Sequence, residues 1–168
     1  MIPGGEAMYH TANYNSPLGP LLLYSRDGSL TGLWMQPHNF PPAECTGKQD
    51  DPVLMTARQW LDRYFRGEQP NPAALPLAPE GTPFQKQVWA LLLEIPYGES
   101  ISYGALAKKL SPSMSAQAIG GAVGRNPISI IIPCHRVLGS HGQLTGYAGG
   151  LQNKRFLLEH EGISYKER

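Results

Sequence analysis

The chain has 168 residues, with 14 Lys and Arg against 13 Asp and Glu, a net charge of +1, and 41% hydrophobic residues. That is the composition of a folded chain of one domain or two small ones, and it excludes a disordered polyelectrolyte. No apolar run is long enough to span a bilayer, no basic flank leads into an apolar stretch at the start, and two cysteines are too few for a disulfide scaffold, so a cytoplasmic protein is expected.

In chain order, YHTANYN (9–15), PLLLYS (20–25) and SLTGLWM (29–35) predict strands, with Arg26-Asp27-Gly28 as the tight turn between the last two. DPVLMTARQWLDRYFRG (51–67) predicts a helix: Asp51 is placed to cap it, Pro52 suits its first position, and Gly67 can end it. Val53, Ala57, Trp60, Leu61, Tyr64 and Phe65 follow the helical period. EQPNPAALPLAPEG (68–81) carries four prolines and reads as an extended linker. Charge changes sign there, from −3 over residues 1–81 to +4 over 82–168, and a basic second half suits a polyanionic partner.

After the linker, TPFQKQVWALLLEIPYG (82–98) opens with a capping box of Thr82 and Gln85 and carries an apolar stripe of Phe84, Val88, Leu91, Leu92 and Ile95 before Pro96 stops it. ISYGALAKKL (101–110) predicts a short helix capped by Ser102, SPSM a turn, and SAQAIGGAVGRN (115–126) a second helix capped near Ser115. Helix, short turn, helix is the arrangement that lays its second helix in a DNA groove. That second helix is lean: Gly120 and Gly121 each cost it roughly 1 kcal/mol against alanine. Close packing against another helix and close approach to a nucleic acid both account for such a surface. ISIIIP (128–133) predicts a buried strand, LGSHGQLTGYAGG (138–150) a glycine-rich loop, and LQNKRFLLEHEG (151–162) a last helix. The expected fold is an α/β N-terminal domain over 1–70 (small antiparallel sheet plus helix), a proline-rich linker at 71–81, and a mainly α C-terminal domain over 82–168. The latter holds the helix-turn-helix and a short strand carrying PCHR.

The chemistry centres on IIIPCHRV (130–137). Cys134 fits two readings, a small buried hydrophobe or a nucleophile, and the cations His135 and Arg136 beside it favour a thiolate. Adjacent side chains on an extended chain point to opposite faces, so His135 either meets the sulfur through a sharp turn or acts on it through a water molecule. A third group should orient the imidazole. Glu161 is a candidate, although the helix macrodipole disfavours an anion in a last turn unless a cation compensates it. The five His and two Cys form no CxxC or HxxxH pair, so neither a metal nor a cofactor is expected.

IIIPCHRV, with GRNP upstream and TGYAGG and LLEHEG downstream, resembles the 6-O-alkylguanine-DNA alkyltransferases, the methylated-DNA–protein-cysteine methyltransferase family. The likeness covers residues 82–168 closely, and residues 1–81 more loosely through SPLGPLLL and the 51–67 helix. It implies a ribonuclease-H-like N-terminal domain and a repair protein that acts once. Such a protein binds double-stranded DNA as a monomer, flips 6-O-alkylguanine out of the stack, and takes the alkyl group irreversibly onto Cys134. Whether 4-O-alkylthymine is also accepted stays open.

Carried over residue by residue, the resemblance makes His135 the base acting through a water and Glu161 its orienting carboxylate. Asn126 becomes the brace of the turn, and Tyr103 the donor to the departing guanine. The carbonyls of Cys134 and Val137 would read the guanine amino group, with Tyr147, Ala148, Gly149 and Gly150 lining the pocket. Ser102, Ala116, Gly120, Gly121 and Arg125 would meet DNA, with Lys108 and Lys109 as further phosphate contacts. Gln117 stands where the family usually carries the arginine that fills the gap left by the flipped base, and Ala148 where some members have serine. The composition does not support the zinc site of some members. Two competing readings are a Cys–His acyl hydrolase or transferase, which the helix-turn-helix opposes, and a DNA-binding regulator without chemistry, which Cys134 opposes.

Overall fold

The computed structural model describes residues 9–35, 51–147 and 149–167, and the chain separates into two compact units, Met1–Pro79 and Glu80–Arg168. In the first unit β1 (His10–Ser16), β2 (Gly19–Arg26) and β3 (Ser29–Met35) form an antiparallel sheet in the order β1-β2-β3. Asp27 and Gly28, at φ 53° and 80°, make the two-residue turn whose twist matches the flanking strands. Helix α1 (Pro52–Phe65) packs on this sheet, and Leu21, Leu23, Leu30, Leu33, Leu54, Leu61 and Tyr64 are its buried core.

Two expectations for this unit change. Asp51 does not cap α1 with its side chain; its carboxylate accepts the Ser25 hydroxyl at 2.6 Å, and the helix start relies on the Asp51 carbonyl instead. The proline-rich stretch is neither extended throughout nor free: Pro72–Ala74 form a 3-10 turn capped by Asn71. Leu30 N donates to the Pro76 carbonyl and Ala78 N to the Leu30 carbonyl, both at 2.8 Å, which fixes the stretch beside β3.

The second unit begins with α2 (Pro83–Leu92), whose capping box is complete: Gln85 N donates to Thr82 Oγ1 at 3.1 Å, and Thr82 N to Gln85 Oε1 at 3.0 Å. Trp89, which the predicted stripe left out, is buried in it, and its indole N–H donates to the Ala122 carbonyl at 2.9 Å. Next come β4 (Ile101–Ser102), α3 (Tyr103–Leu110, capped by Ser102) and α4 (Ala116–Gly124, capped by Ser115). The turn between α3 and α4 is pinned by Lys108 Nζ, which donates to the Pro112 carbonyl at 2.8 Å.

The isoleucine run is not a strand. Residues 128–132 form a tight turn, with Ile131 N donating to the Ser129 carbonyl and Ile132 N to the Ile128 carbonyl. Ile130 sits at φ 72°, a conformation β-branched residues rarely adopt. Apolar residues are required because the turn is buried, and burial alone does not distinguish a strand from a turn. PCHR then forms a single 3-10 turn (Cys134–Arg136), followed at once by β5 (Val137–Leu138). β5 pairs parallel with β4, Ile101 opposite Val137 and Ser102 opposite Leu138, which brings the start of α3 beside the cysteine turn. Helix α5 (Leu151–His160) closes the unit from Gly150, whose φ of 96° suits glycine. Among the described residues no helix is long and apolar enough to cross a membrane.

Candidate functional site

Cys134 lies in the wall of a cavity of about 340 Å3, lined among others by Tyr103, Gly120, Asn126, Ser129, Thr145 and Tyr147. The Cys134 side chain is buried, and burial pushes its thiol above the ordinary value. The nearby polar side chain of Asn126, the charge of Lys154 and the Tyr147 hydroxyl oppose that effect. The sulfur is thus desolvated but ringed by donors and a cation, an environment that a thiolate can occupy.

Asn126 holds the turn that carries the cysteine. Its side-chain N–H group donates to the Ile132 carbonyl at 2.8 Å and the Ile128 carbonyl at 3.3 Å, while its oxygen accepts from Ile128 N at 3.0 Å. One amide side chain thereby satisfies three backbone groups of a buried turn.

Behind the turn stands a buried ionic cluster. His135 Nε2 donates to Glu161 Oε2 at 2.7 Å; Arg136 gives Nε to Oε1 at 2.8 Å and an Nη group to Oε2 at 3.2 Å; and Gly98 N donates to Oε1 at 3.2 Å. Arg136 also donates to the Ile95 carbonyl at 2.6 Å and lies over the Tyr97 ring. Burial opposes ionisation of Glu161, but the hydrogen bonds of His135 and Arg136 and the guanidinium charge outweigh it and hold the carboxyl well below the ordinary carboxylate range. Arg136 is the compensating cation that an anion at a helix C-terminus requires. Burial lowers the pKa of His135, against the raising effect of Glu161, so the imidazole rests neutral. With Nε2–H committed to Glu161, Nδ1 carries the free lone pair, and it has no hydrogen-bond partner among the described residues. Among the described residues His135 hydrogen-bonds Glu161 and not the sulfur, and its open nitrogen can accept a proton within a buried site.

The remaining expected residues divide. Tyr103 lines the cavity, half-buried, its hydroxyl accepting from Thr145 Oγ1 at 3.5 Å; burial raises its pKa. Tyr147 also lines the cavity, its hydroxyl buried without a hydrogen-bond partner among the described residues, and burial pushes its pKa well up. The Val137 carbonyl already accepts Lys154 Nζ at 2.7 Å. Gly149 and Gly150 do not line the cavity: the Gly149 carbonyl accepts from Asn153, and Gly150 N donates to the Tyr147 carbonyl, so the pair turns the chain into α5. Ala148 lies outside the described residues.

Along α4, Ala116, Gln117 and Gly121 are exposed, and Arg125 is exposed just beyond it. A Cβ added at Gly121 would meet nothing within 4 Å, and one at Gly120 would only touch the Tyr103 ring at 3.9 Å. Internal packing does not demand these glycines, and they leave a flat outer face. Ser102 spends its hydroxyl on capping α3.

Sequence reasoning missed Thr145, Ser129 and above all Lys154, which is fully buried. A signal was available. Lys154, Leu157, Leu158 and Glu161 share the i, i+3, i+4, i+7 spacing of a core-facing stripe, and all four are buried.

The family model described as 6-O-methylguanine DNA methyltransferase, DNA binding domain, matches residues 83–163, and its ribonuclease-like domain matches residues 8–79. The methylated-DNA–protein-cysteine methyltransferase of Haemophilus influenzae is 47% identical over 163 residues, 96% of this chain and 90% of its own. The chain belongs to the 6-O-methylguanine DNA methyltransferase family. The Mycobacterium leprae methylated-DNA–protein-cysteine methyltransferase is 44% identical over 92% of this chain and 93% of its own. The crystal structure of Mycobacterium tuberculosis OGT in complex with DNA is similar with a TM-score of 0.82, at 42% identity, over 90% of this chain and 92% of that one.

Two expectations follow from this geometry. Asn126→Ala leaves three buried backbone groups without their partner and should lower stability by about 2–3 kcal/mol, read by urea unfolding. The Glu161 carboxylate has a folded pKa below its unfolded 4.5, and His135 one below its unfolded 6.5, so each contribution is fully present above the unfolded value and is lost as pH falls from there through the lower folded value. Thermal melting from pH 7 to pH 4 should therefore show falling stability, and Glu161→Gln should flatten the lower part of that fall.

Proposed function

We propose that the chain repairs DNA by transferring the alkyl group of 6-O-alkylguanine to its own Cys134, once per molecule. The observation that carries this reading is Cys134 in the wall of a cavity wide enough for a base, backed by the buried His135–Glu161 pair. Double-stranded DNA is the partner, met by α3, the turn and α4, with the flat outer face of α4 toward the groove. The target base leaves the stack and enters the cavity, because the reacting atoms cannot meet inside a duplex. The site of action is the cytoplasm.

His135 Nδ1 takes the thiol proton through a water molecule, and Glu161 stabilises the imidazolium that results. The thiolate attacks the alkyl carbon, the bond to the guanine oxygen breaks, and Tyr103 supplies a proton to the departing base. The product is a thioether, which water does not reverse, so the protein is consumed. Asn126 keeps the sulfur in place during the attack. Tyr147 covers the base from one wall, and the carbonyls of Cys134 and Val137 accept from its amino group. Gln117, at the exposed start of α4, fills the space of the flipped base without bringing a charge, while Arg125 and Lys109 meet phosphate and Ala116, Gly120 and Gly121 allow close approach.

Mass spectrometry after incubation with duplex DNA containing 6-O-methylguanine tests this. One methyl on Cys134 per protein molecule, with no further turnover, is expected, and Cys134→Ser should bind the DNA and leave it methylated. Repeated turnover, or a methyl elsewhere, refutes the reading. Gln117→Arg should tighten binding and steepen the salt dependence by about one unit of log–log slope. Filter binding at several salt concentrations reads this, and an unchanged slope removes Gln117 from the interface.

A further inference from the structure

Lys154 has no assigned part in the reaction, yet its position is unusual. Its side chain is fully buried in the first turn of α5, where the helix macrodipole disfavours a cation. Buried ammonium groups are ordinarily paired with a carboxylate. Among the described residues this one has only neutral oxygens: the Val137 carbonyl at 2.7 Å, Thr145 Oγ1 at 3.3 Å and the Gly146 carbonyl at 3.5 Å. Its nitrogen also stands 6.0 Å from the centre of the Tyr103 ring, within range of a cation–π contact. The titratable groups facing it are Tyr103 from α3 and Cys134 and His135 from the 3-10 turn.

The reaction supplies the missing anion. The electron pair of the thiolate forms the sulfur–carbon bond; the carbon–oxygen bond breaks and its pair passes to the guanine; the Tyr103 proton moves to that base and a phenolate remains. One negative charge thus travels from the sulfur to the Tyr103 oxygen, and Lys154 faces both ends of the path. We propose that Lys154 is a positioning residue for alkyl transfer, a preorganised buried counter-charge that holds the Val137–Thr145–Gly146 wall of the pocket and stabilises the negative charge as it arrives on Tyr103. This rests on the reading of Cys134 as acceptor and Tyr103 as donor. Burial outweighs the raising effect of Cys134 and leaves the Lys154 pKa lowered to about 8, as expected of a buried ammonium without a carboxylate partner.

A double-mutant cycle separates this role from packing. Lys154→Gln keeps a hydrogen-bond donor at the pocket wall and removes the charge; single-turnover transfer from methylated DNA should slow by at least about tenfold. In a Tyr103→Phe background the same substitution should cost clearly less, because no phenolate forms there. Binding of methylated DNA, measured with Cys134→Ser added, should stay within about threefold. If Lys154→Gln does not fold, Lys154→Met, close in shape, carries the same cycle. An unchanged transfer rate, or equal slowing with and without the Tyr103 hydroxyl, overturns the proposal while leaving the acceptor role of Cys134 intact. A wild-type chain that never methylates Cys134 fails the underlying reading instead.

Discussion

The second unit is organised around one buried carboxylate. Glu161 accepts from His135, Arg136 and Gly98, so the end of α5, the PCHR turn and the turn after α2 meet on a single group. An anion with no exposed surface is tolerable only when its oxygens are filled with donors, and removing one partner of such a cluster typically costs about 3–5 kcal/mol. Arg136 brings its full charge to that carboxylate, while burial keeps His135 neutral with its second nitrogen open. The cation that stands beside the thiol in the sequence thus serves the buried carboxylate, and the imidazole keeps one nitrogen without a partner among the described residues.

The pocket follows the same logic of charges set in place beforehand. Cys134 is desolvated, which by itself would keep it a thiol, and Asn126, Tyr147 and Lys154 offset that effect. Such a site is costly in the resting protein and effective when charge appears, because little has to reorganise at that moment. Opposite it, α4 offers glycines that no internal contact requires, trading helix stability for a surface that another molecule can approach closely.

Much of this was legible in the sequence. The hairpin at Asp27-Gly28, the Thr82–Gln85 capping box and the caps at Ser102 and Ser115 are local signals, each settled within a few residues, and each is present. Asp51 failed as a side-chain cap because a distant residue, Ser25, competed for its carboxylate. The isoleucines failed as a strand because their burial is compatible with any backbone, and Asn126 supplies the hydrogen bonds that a neighbouring strand would otherwise provide.

The sequence by itself determined the family and most of the order of elements and pointed to Cys134 as the candidate nucleophile, because PCHR and its flanks are contiguous and chemically unusual. It could not determine which side chains surround that thiol. Lys154 reaches Val137 and Tyr103, and Glu161 reaches Gly98, across 17, 51 and 63 positions of chain. Those partners are chosen by the parallel pairing of β4 with β5 and by which face of α5 turns inward. Tertiary structure therefore decided the electrostatics of the site, since burial and proximity, not residue type, set whether a lysine is a surface charge or a counter-ion.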